Sequence, residues 1–375
     1  MRLSLLGPVY PYRGGIAHFT TLLAKKLIEA GHEVQVISFK KQYPAWLYPG
    51  ESDKDHSPGR EKVDADYLLT PLNPSSWRRT VKAIVGFQPQ QVILPWWVTF
   101  WGPAFRFIIT RLKRRGIPVT VLIHNTMPHE ARALDRFLAR RTLQPADRYI
   151  VMTEREKGRL LALLPQAQNI HIAPLPIYHA FKPSGSSKSQ VCQSLDLPQD
   201  QPVLLYFGFV RPYKGLGVLI DALRALIDLD VDAHLLIVGE FWEDKTGYVS
   251  QIQRLGLDHR VHIYDTYIPD DEVAGYFEAA DVFVAPYIDG TQSAALKTAL
   301  GFGLPVVVTD VITDEIIEAL PERCRVVRTG DAAALAAGII EQMKVSKLND
   351  GQIKQIVDQS WAAMLKVVNK EGGNL

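Results

Sequence analysis

Short apolar runs alternate along the whole chain with longer segments in which apolar residues recur at helical spacing. Residues 3–6 form the first run, and residues 16–30 follow with a helical pattern. Later runs predict strands at 32–38, 91–94, 118–124, 148–152, 203–206, 234–239, 261–264, 282–286 and 305–309. Strands that alternate with helices in this way are typical of βαβ units, so we predict an α/β protein with parallel sheets.

The chain divides near its middle. Residues 177–201 are rich in Ser and Pro and predict a linker with a short helix, after which the strand–helix pattern starts again. We predict two doubly wound, Rossmann-like domains, residues 1–178 and 179–350, and a C-terminal segment, 351–375, whose helix packs back toward the first domain. The carboxyl ends of the two sheets would then face a common cleft, where open α/β sheets bind ligands.

The amino-acid composition excludes several structural classes for this protein. Apolar residues make up 47% of the 375 residues and charged residues 22%, which excludes a disordered chain or a collagen-like repeat. A net charge of +2 gives no reason to expect nucleic acid as a partner. Two cysteines, Cys192 and Cys324, exclude a disulfide framework. No apolar run reaches about 18 residues, and the first run ends at Gly7, so we expect a soluble, cytoplasmic protein.

Two loops, one in each predicted domain, lie directly before a predicted helix. The first contains paired glycines, and the second contains two cationic residues. Gly14 and Gly15 precede the first helix, where exposed N–H groups favour an anion; a tight βα turn is the alternative interpretation. The pair does not fit the GxGxxG pattern of dinucleotide-binding proteins. Arg211 and Lys214 lie in the corresponding loop of the second domain, where both can reach a phosphate, although surface cations are often merely solvated.

Two further loops follow predicted strands. Thr291 or Ser293 is a candidate N-cap for the helix that begins at about residue 294, and the free N–H groups of its first turn can also hold a phosphate. His124 ends a strand of the first domain, where it is either a ligand-contacting residue or a structural hydrogen-bonding group. His129 and Glu130 are additional polar candidates. No third ligand at metal spacing accompanies them, so we predict no metal site.

Taken in order, these segments resemble the retaining, nucleotide-sugar-dependent glycosyltransferases of the GT-B fold (glycosyl transferases group 1, family 4 type). The resemblance covers nearly the whole chain. It rests on residues 14–17, the strand ending at His124, the segment from Phe207-Gly208 to Lys214-Gly215, and residues 236–240, 279–286 and 303–307.

The resemblance implies roles for the candidate residues. The donor sugar nucleotide would lie mostly on the second domain, with Lys214 on its diphosphate, and Gly14 and Gly15 would close on the diphosphate from the first domain. His124 would contact the donor sugar. The resemblance also implies a nucleoside pocket at Glu240, Tyr267 and Ile268, and a backbone cradle for the diphosphate and sugar at Thr291, Gln292, Ser293 and Ala294.

The chain departs from the family pattern at three positions. The family usually carries Arg five residues before the Lys; this chain has Phe209 there, with Arg211 as the expected substitute. The family also carries two Glu with seven residues between them, one facing the donor sugar and one binding the ribose. Aligned on residues 303–305, those positions are Gly290 and Thr298.

The function implied is transfer of a hexose, with retention, from a nucleoside-diphosphate sugar to a glycan or lipid-linked acceptor, in cell-surface polysaccharide or glycolipid synthesis. Arg211, Lys214 and two helix N-termini would stabilise the leaving diphosphate without a metal, and no cofactor is expected. The missing Glu pair keeps open a catalytically degenerate protein that binds nucleotide or glycan. A nucleotide-sugar epimerase or a phosphorylase of the same fold is a further alternative.

A peripheral contact with the inner face of the membrane is a further hypothesis. Aromatic residues cluster at Trp96, Trp97, Phe100 and Trp101, and basic residues gather on two nearby helices, at Arg111, Lys113, Arg114, Arg115, Arg132, Arg136 and Arg140. The group predicts either attachment to an anionic membrane, or core aromatics beside solvated helix faces. The Trp residues could instead stack on an acceptor sugar.

Overall fold

A computed structural model describes residues 1–44, 52–58, 60–128, 132–179, 181, 184–290 and 292–369. Contacts divide the chain into two compact units, the first made of Met1–His56, Arg60–Pro174 and Trp361–Leu375, the second of Ser57–Gly59 and Leu175–Ser360. The division after Pro174 lies four residues before the predicted one. The C-terminal segment, predicted as a separate piece, is divided between the units at Ser360.

Among the described residues, the first unit is a parallel sheet of seven strands with helices between them. Its strands are β1 (Arg2–Leu6), β2 (Glu33–Phe39), β3 (Asp66–Leu69), β4 (Gln91–Trp96), β5 (Val119–Ile123), β6 (Arg148–Val151) and β7 (Ile170–Ile172). Its helices are α1 (Gly15–Glu29), α2 (Pro74–Phe87), α3 (Gly102–Lys113), α4 (Ala133–Leu143) and α5 (Glu154–Leu163). The strand order is β3-β2-β1-β4-β5-β6-β7, with every pair parallel.

The second unit repeats this plan with six strands in the described part of the chain. These are β8 (Val203–Phe207), β9 (His234–Val238), β10 (Val261–Tyr264), β11 (Val282–Ala285), β12 (Val306–Thr309) and β13 (Cys324–Val327). The helices are α6 (Lys188–Ser194), α7 (Leu216–Asp228), α8 (Thr246–Arg254), α9 (Asp270–Ala279), α10 (Ala294–Gly301), α11 (Glu315–Ala319), α12 (Ala332–Gln342) and α13 (Asp350–Val368). The order is β10-β9-β8-β11-β12-β13, again all parallel.

The inner strands are continuous apolar runs because helices cover both faces of a parallel sheet. All five residues of β5 and of β9 are buried. Helix α7 buries the apolar stripe predicted from its sequence, Leu216, Leu219, Ile220, Leu223 and Leu226. The prediction of two doubly wound α/β units is therefore confirmed.

The sequence analysis did not predict three of the strands, β3, β7 and β13. Each lies at the edge of its sheet, where a strand has one neighbour and a partly exposed face. All three residues of β7 are only partly buried, and β13 exposes both of its central residues. A short edge strand thus carries little of the apolar pattern from which inner strands are recognised.

The aromatic cluster after β4 belongs to the core of the first unit. Trp96 is 0% exposed and Trp101 1%, while Trp97 and Phe100 are partly buried against the same core. The suggestion that this cluster meets a membrane or stacks on a sugar is therefore wrong for the two buried tryptophans. The aromatic residues form two adjacent pairs, Trp96–Trp97 and Phe100–Trp101, and this arrangement does not predict which rings face the core.

The last turns of α13, from Trp361 on, belong to the first unit and pack on its α1 and β6. Trp361 stacks on Phe19 of α1, with ring centroids 6.1 Å apart, and the guanidinium of Arg148 in β6 donates hydrogen bonds to the carbonyl oxygens of Val367 and Val368. Within the described ranges, the structure contains no helix that is both long and apolar enough to cross a bilayer.

Candidate functional site

The second sheet reverses its strand order at β8, which lies between β9 and β11. In doubly wound sheets, ligands bind beyond the carboxyl ends of the strands at such a switch point. Two loops flank this point: the β8 loop (residues 208–215) and the β11 loop (residues 286–290 and 292–293 as described). The predicted residues Arg211, Lys214, Gln292 and Ser293 lie on them, and Thr291 lies outside the described residues.

The two loops are joined directly. The N–H of Ile288 donates a 2.7 Å hydrogen bond to the carbonyl oxygen of Tyr213. Gly215 has φ +68°, and a Cβ there would collide with the carbonyl oxygen of Pro286. Glycine after Lys214 is therefore required by the close approach of the β11 loop, which explains the Lys-Gly pair in physical terms.

Lys214 is a buried cation. The residue is only 9% exposed. Burial and the nearby charge of Arg211 lower the pKa of its ammonium group to about 7. Its Nζ lies 5.7 Å from the ring centroid of Tyr287 in the β11 loop. In the described part of the chain, no carboxylate forms an ion pair with this ammonium. An anion bound here would supply the missing countercharge.

Arg211 stands beside aromatic rings. Its Cζ lies 5.5 Å from the ring centroid of Tyr213 and 6.0 Å from that of Trp242 in the loop after β9. Phe209, at the position where the family usually has Arg, stacks on Trp242 with centroids 4.0 Å apart. The ring at 209 thus packs against the loop after β9, and Arg211 is the residue of this loop that offers a guanidinium.

Helix α10 begins beside these cations. Ser293 is its N-cap: the Oγ accepts a 3.2 Å hydrogen bond from the N–H of Leu296, and it lies 3.0 Å from the hydroxyl of Tyr287. Capping by Ser293 agrees with one of the two predicted caps. The helix dipole adds partial positive charge at this end, next to Gln292 and Ala294.

The predicted nucleoside pocket lies further along the same sheet edge. The carbonyl oxygen of Glu240, after β9, accepts a 2.9 Å hydrogen bond from the N–H of Val210 in the β8 loop. After β10, the Tyr267 hydroxyl donates to Asp270 Oδ1 at 3.5 Å, and Ile268 is 5% exposed. The loops after β8, β9 and β10 thus bring these residues to one edge, as a shared pocket requires.

The first unit carries the remaining predicted residues. Gly14 is the N-cap of α1, which begins at Gly15 and has no side-chain cap. His124 follows β5 directly, with its ring edge-on to Phe19 of α1 at 4.8 Å between centroids. Burial lowers the pKa of His124 to about 3, so the imidazole is neutral at ordinary pH.

A buried carboxylate fixes the loop that follows His124. Glu156, in the first turn of α5, is 0% exposed, and its Oε2 accepts hydrogen bonds from the N–H of Thr126 at 2.8 Å and from its hydroxyl at 2.7 Å. The indole N–H of Trp96 donates to the carbonyl oxygen of Thr126 at 3.3 Å. Sequence reasoning missed Glu156, which lies 30 residues after the loop it holds. His129 and Glu130 lie outside the described residues.

The described residues hold no group of three or more His, Cys, Asp or Glu side chains that could bind a metal ion. At the two positions where the family has Glu, Gly290 has φ +126°, and the Thr298 hydroxyl donates to the carbonyl oxygen of Ala294 at 3.1 Å. The side chain of Thr298 is therefore engaged with the backbone of its own helix.

Comparison with family models decides the family. Residues 201–344 match the model described as Glycosyl transferases group 1, and residues 14–176 match the Glycosyl transferase 4-like domain. The chain belongs to the group 1 glycosyltransferases. The resemblance stated from the sequence is thereby confirmed, and the first model covers the β8 and β11 loops.

Individual relatives of this glycosyltransferase agree. The chain is 30% identical over 171 residues to the phosphatidyl-myo-inositol mannosyltransferase of Mycobacterium leprae, over 44% of this chain and 43% of the relative. It is 29% identical over 201 residues to the GDP-mannose:glycolipid 4-beta-D-mannosyltransferase of Xanthomonas campestris pv. campestris, over 53% and 52%. The matched part thus spans about half the length of these curated relatives.

A solved structure shows the fold. HepE of Anabaena, in complex with UDP-glucose, superposes with a TM-score of 0.70 at 16% identity, over 98% of each chain. The predicted GT-B fold class of this glycosyltransferase is confirmed.

Proposed function

We propose that this member of the family transfers a hexose from a nucleoside-diphosphate sugar to a glycan or lipid-linked acceptor. We further propose that transfer proceeds with retention and without a metal ion, in cell-surface polysaccharide or glycolipid synthesis. The observation that carries the proposal is the buried Lys214 ammonium, which has Arg211 beside it and no carboxylate paired with it in the described residues. A diphosphate is the anion that such a cationic pair at a switch point would hold.

The proposed chemistry uses these groups on the leaving diphosphate. As the bond from the sugar to the diphosphate breaks, negative charge grows on the phosphate oxygens, and Arg211, Lys214 and the N-terminus of α10 stabilise it. In the mechanism that the resemblance implies, the acceptor hydroxyl attacks from the same face. The leaving phosphate oxygen takes its proton, so no protein nucleophile is needed. Neutral His124 can contact the sugar but is not a proton donor at ordinary pH.

The donor base is tested first. The Anabaena neighbour was solved with UDP-glucose, and the Xanthomonas relative is named for GDP-mannose, so both bases are candidates. Thermal shifts with UDP, GDP, ADP and their sugar conjugates, with and without Mg²⁺, compare them. A ligand at 100 times its Kd raises the free energy of unfolding by about 2.7 kcal/mol. A shift with one base that does not need Mg²⁺ supports the proposal, and no shift with any of them refutes it.

Measurement of the transfer rate then tests the proposed role of Lys214. We expect Lys214→Ala to lower transfer of labelled hexose at least about 100-fold, as loss of one preorganised charge contact typically does. Lys344→Ala, at an exposed position of the same unit, is the matched control. Wild-type turnover in Lys214→Ala would contradict the proposed role. Conversion of the donor sugar without acceptor would favour the epimerase alternative, and nucleotide binding without turnover the degenerate one.

Peripheral attachment to an anionic membrane is proposed on α4, which carries part of the predicted basic group. Its own exposed apolar residues take the place of the predicted aromatic cluster. On α4, Leu134 is 66% exposed and Phe137 56%, and the Arg141 guanidinium lies 5.3 Å from the Phe137 ring centroid. Arg136 and Arg140 are exposed on the same helix. Large apolar side chains among arginines fit the interface of an anionic bilayer.

Vesicle flotation tests this surface. We expect wild type to float with vesicles containing anionic lipid and to stay behind with neutral ones. The double variant Leu134→Ser/Phe137→Ser should float less, because it loses the apolar contact and keeps the charge. A matched control is Leu72→Ser/Leu229→Ser, which changes two exposed leucines elsewhere. Equal flotation of the two double variants would refute the α4 surface.

A further inference from the structure

Tyr287, which no sequence motif singled out, stands between the two groups proposed to hold the diphosphate. It follows β11 after Pro286 and is 4% exposed. Its ring faces the Lys214 ammonium at 5.7 Å, and its hydroxyl lies 3.0 Å from Ser293 Oγ, the N-cap of α10. Its carbonyl oxygen accepts a 2.5 Å hydrogen bond from the Thr309 hydroxyl at the end of β12. The residue is thus fixed at its backbone and contacts both groups with its side chain.

The ring is well placed to hold the ammonium. Burial and the Arg211 charge both act against a charged Lys214. An aromatic face within about 6 Å attracts a cation, and more strongly when water is excluded. Among the described residues, the other ionisable groups near Tyr287 include two tyrosines and one acid. The ring of Tyr213 lies edge-on to Tyr287 at 6.0 Å, buried Tyr206 interacts with both, and the N–H of Asp289 donates to the Tyr213 carbonyl oxygen.

The hydroxyl acts on the helix. Ser293 Oγ accepts from the Leu296 N–H and so sets the first turn of α10. Burial keeps the pKa of Tyr287 far above its ordinary value, so the hydroxyl stays protonated and can donate to that same Oγ. One side chain therefore fixes both a lysine of the β8 loop and the N-terminus of the helix after the β11 loop.

We propose that Tyr287 is a positioning residue, whose ring holds the ammonium of Lys214 and whose hydroxyl holds the first turn of α10, so that both meet one diphosphate. This inference rests on the proposed function, because it requires a nucleoside diphosphate at the β8 and β11 loops. It assigns separate tasks to the two halves of one side chain. Substitutions can therefore separate them.

The experiment measures the Kd of UDP and of GDP by titration calorimetry between pH 5.5 and 9.5, on the full chain, and compares each variant with wild type at the same pH. The variants are Tyr287→Phe, which keeps the ring, Tyr287→Leu, which removes ring and hydroxyl, and Ser293→Ala. For wild type, affinity should fall as pH rises past the point where Lys214 loses its proton. Tyr287→Phe should weaken binding about 2- to 10-fold, the usual range for one hydrogen bond, with the same pH midpoint.

Tyr287→Leu should behave differently. Without the aromatic face, Lys214 should lose its proton more easily, so the midpoint of the fall should move about one pH unit lower. Phe at this position should restore the wild-type midpoint, which a merely structural role would not predict. Ser293→Ala also loses the N-cap contact with Leu296, so it should bind more weakly than Tyr287→Phe. Tyr287→Phe/Ser293→Ala should bind about as weakly as Ser293→Ala alone, because without Ser293 Oγ the Tyr287 hydroxyl has lost its contact with the helix.

The outcomes separate the two claims. If wild type binds neither UDP nor GDP, and ADP and the sugar conjugates also give no thermal shift, the proposed function fails, and this inference fails with it. If wild type binds and Tyr287→Leu keeps its pH midpoint, the role of the ring is refuted. If Tyr287→Leu does not fold, the double-mutant cycle decides the role of the hydroxyl. A further loss on adding Tyr287→Phe to Ser293→Ala, as large as the loss in wild type, refutes that role, and no further loss supports it.

Discussion

The buried position of Lys214 predicts two pH dependences of opposite sign. In the folded protein its pKa is lowered to about 7, whereas an unfolded chain holds its lysines near 10.5. Between these values the unfolded state binds more protons than the folded state. This lysine therefore makes the ligand-free protein more stable as pH rises from 7 toward 10, by about 1.4 kcal/mol per pH unit.

Binding of a diphosphate should show the reverse. The anion pairs with the charged lysine, so above pH 7 binding requires the uptake of about one proton by Lys214. Affinity should then fall about tenfold per unit, or about 100-fold between pH 7 and 9. The second ionisation of a phosphate lies near pH 6, so the charge of the phosphate groups hardly changes in this range. The base of UDP or GDP begins to lose its N–H proton toward pH 9, but this change is common to wild type and to variants at Lys214. The difference in slope between wild type and those variants therefore reports on the lysine.

Three proteins make the assay decisive. Wild type, Lys214→Met and Lys214→Arg are titrated with UDP or GDP at pH 7, 8 and 9, and each is unfolded with urea at the same pH values. Arginine stays charged throughout, and methionine never is, so both variants should lose the slope in affinity. Both should also lose the increase in stability that wild type shows. A wild-type affinity that falls no more steeply than that of Lys214→Met would refute the reasoning.

Two further predictions concern buried charges elsewhere. Lys297, which is 0% exposed, forms an ion pair with Asp314 at 2.6 Å. Asp314→Asn leaves this lysine buried without a countercharge and should lower the free energy of unfolding in urea by about 3–5 kcal/mol. Lys297→Met/Asp314→Leu should lower it clearly less, and equal losses would contradict the pairing. Burial lowers the pKa of His124 to about 3 in the folded protein. Below about pH 6.5 this histidine is therefore protonated in the unfolded chain but still neutral in the folded one. The free energy of unfolding should fall by about 1.4 kcal/mol for each pH unit below that point. His124→Gln should lose that part of the acid sensitivity, and an unchanged slope would contradict it.

The sequence was enough to locate the cationic loop, because its position follows from topology. Because strands and helices alternate, the loop that follows β8 must lie at the carboxyl end of the sheet. Arg211 and Lys214 belong to that loop, so the topology alone places them there. Tyr287 could not be found in this way. Its importance depends on the β8 and β11 loops touching, and those loops lie more than 70 residues apart along the chain.

The same limit explains the other differences. Glu156 lies in a helical pattern that predicts an ordinary exposed acid, and only the fold shows it buried against Thr126. The tryptophans after β4 were correctly noticed as unusual, but a short run has no period from which to tell core from surface. On α4, the sequence drew attention to the arginines and not to Leu134 and Phe137, whose exposure is a tertiary property.

The absent Glu pair is consistent with a site that depends on positive charge. Gly290 has φ +126°, a conformation that side chains rarely adopt, so a Glu there would require a different backbone in the β11 loop. Thr298 is 4% exposed, and its hydroxyl is bonded to α10 itself. In the proposed site, with neither carboxylate present, Arg211 and Lys214 would act on a bound diphosphate with less opposing charge than the family's Glu pair would impose. We therefore expect this chain to gain most of its donor affinity from the phosphates, and the Tyr287 contacts that hold the phosphate-binding groups matter correspondingly more.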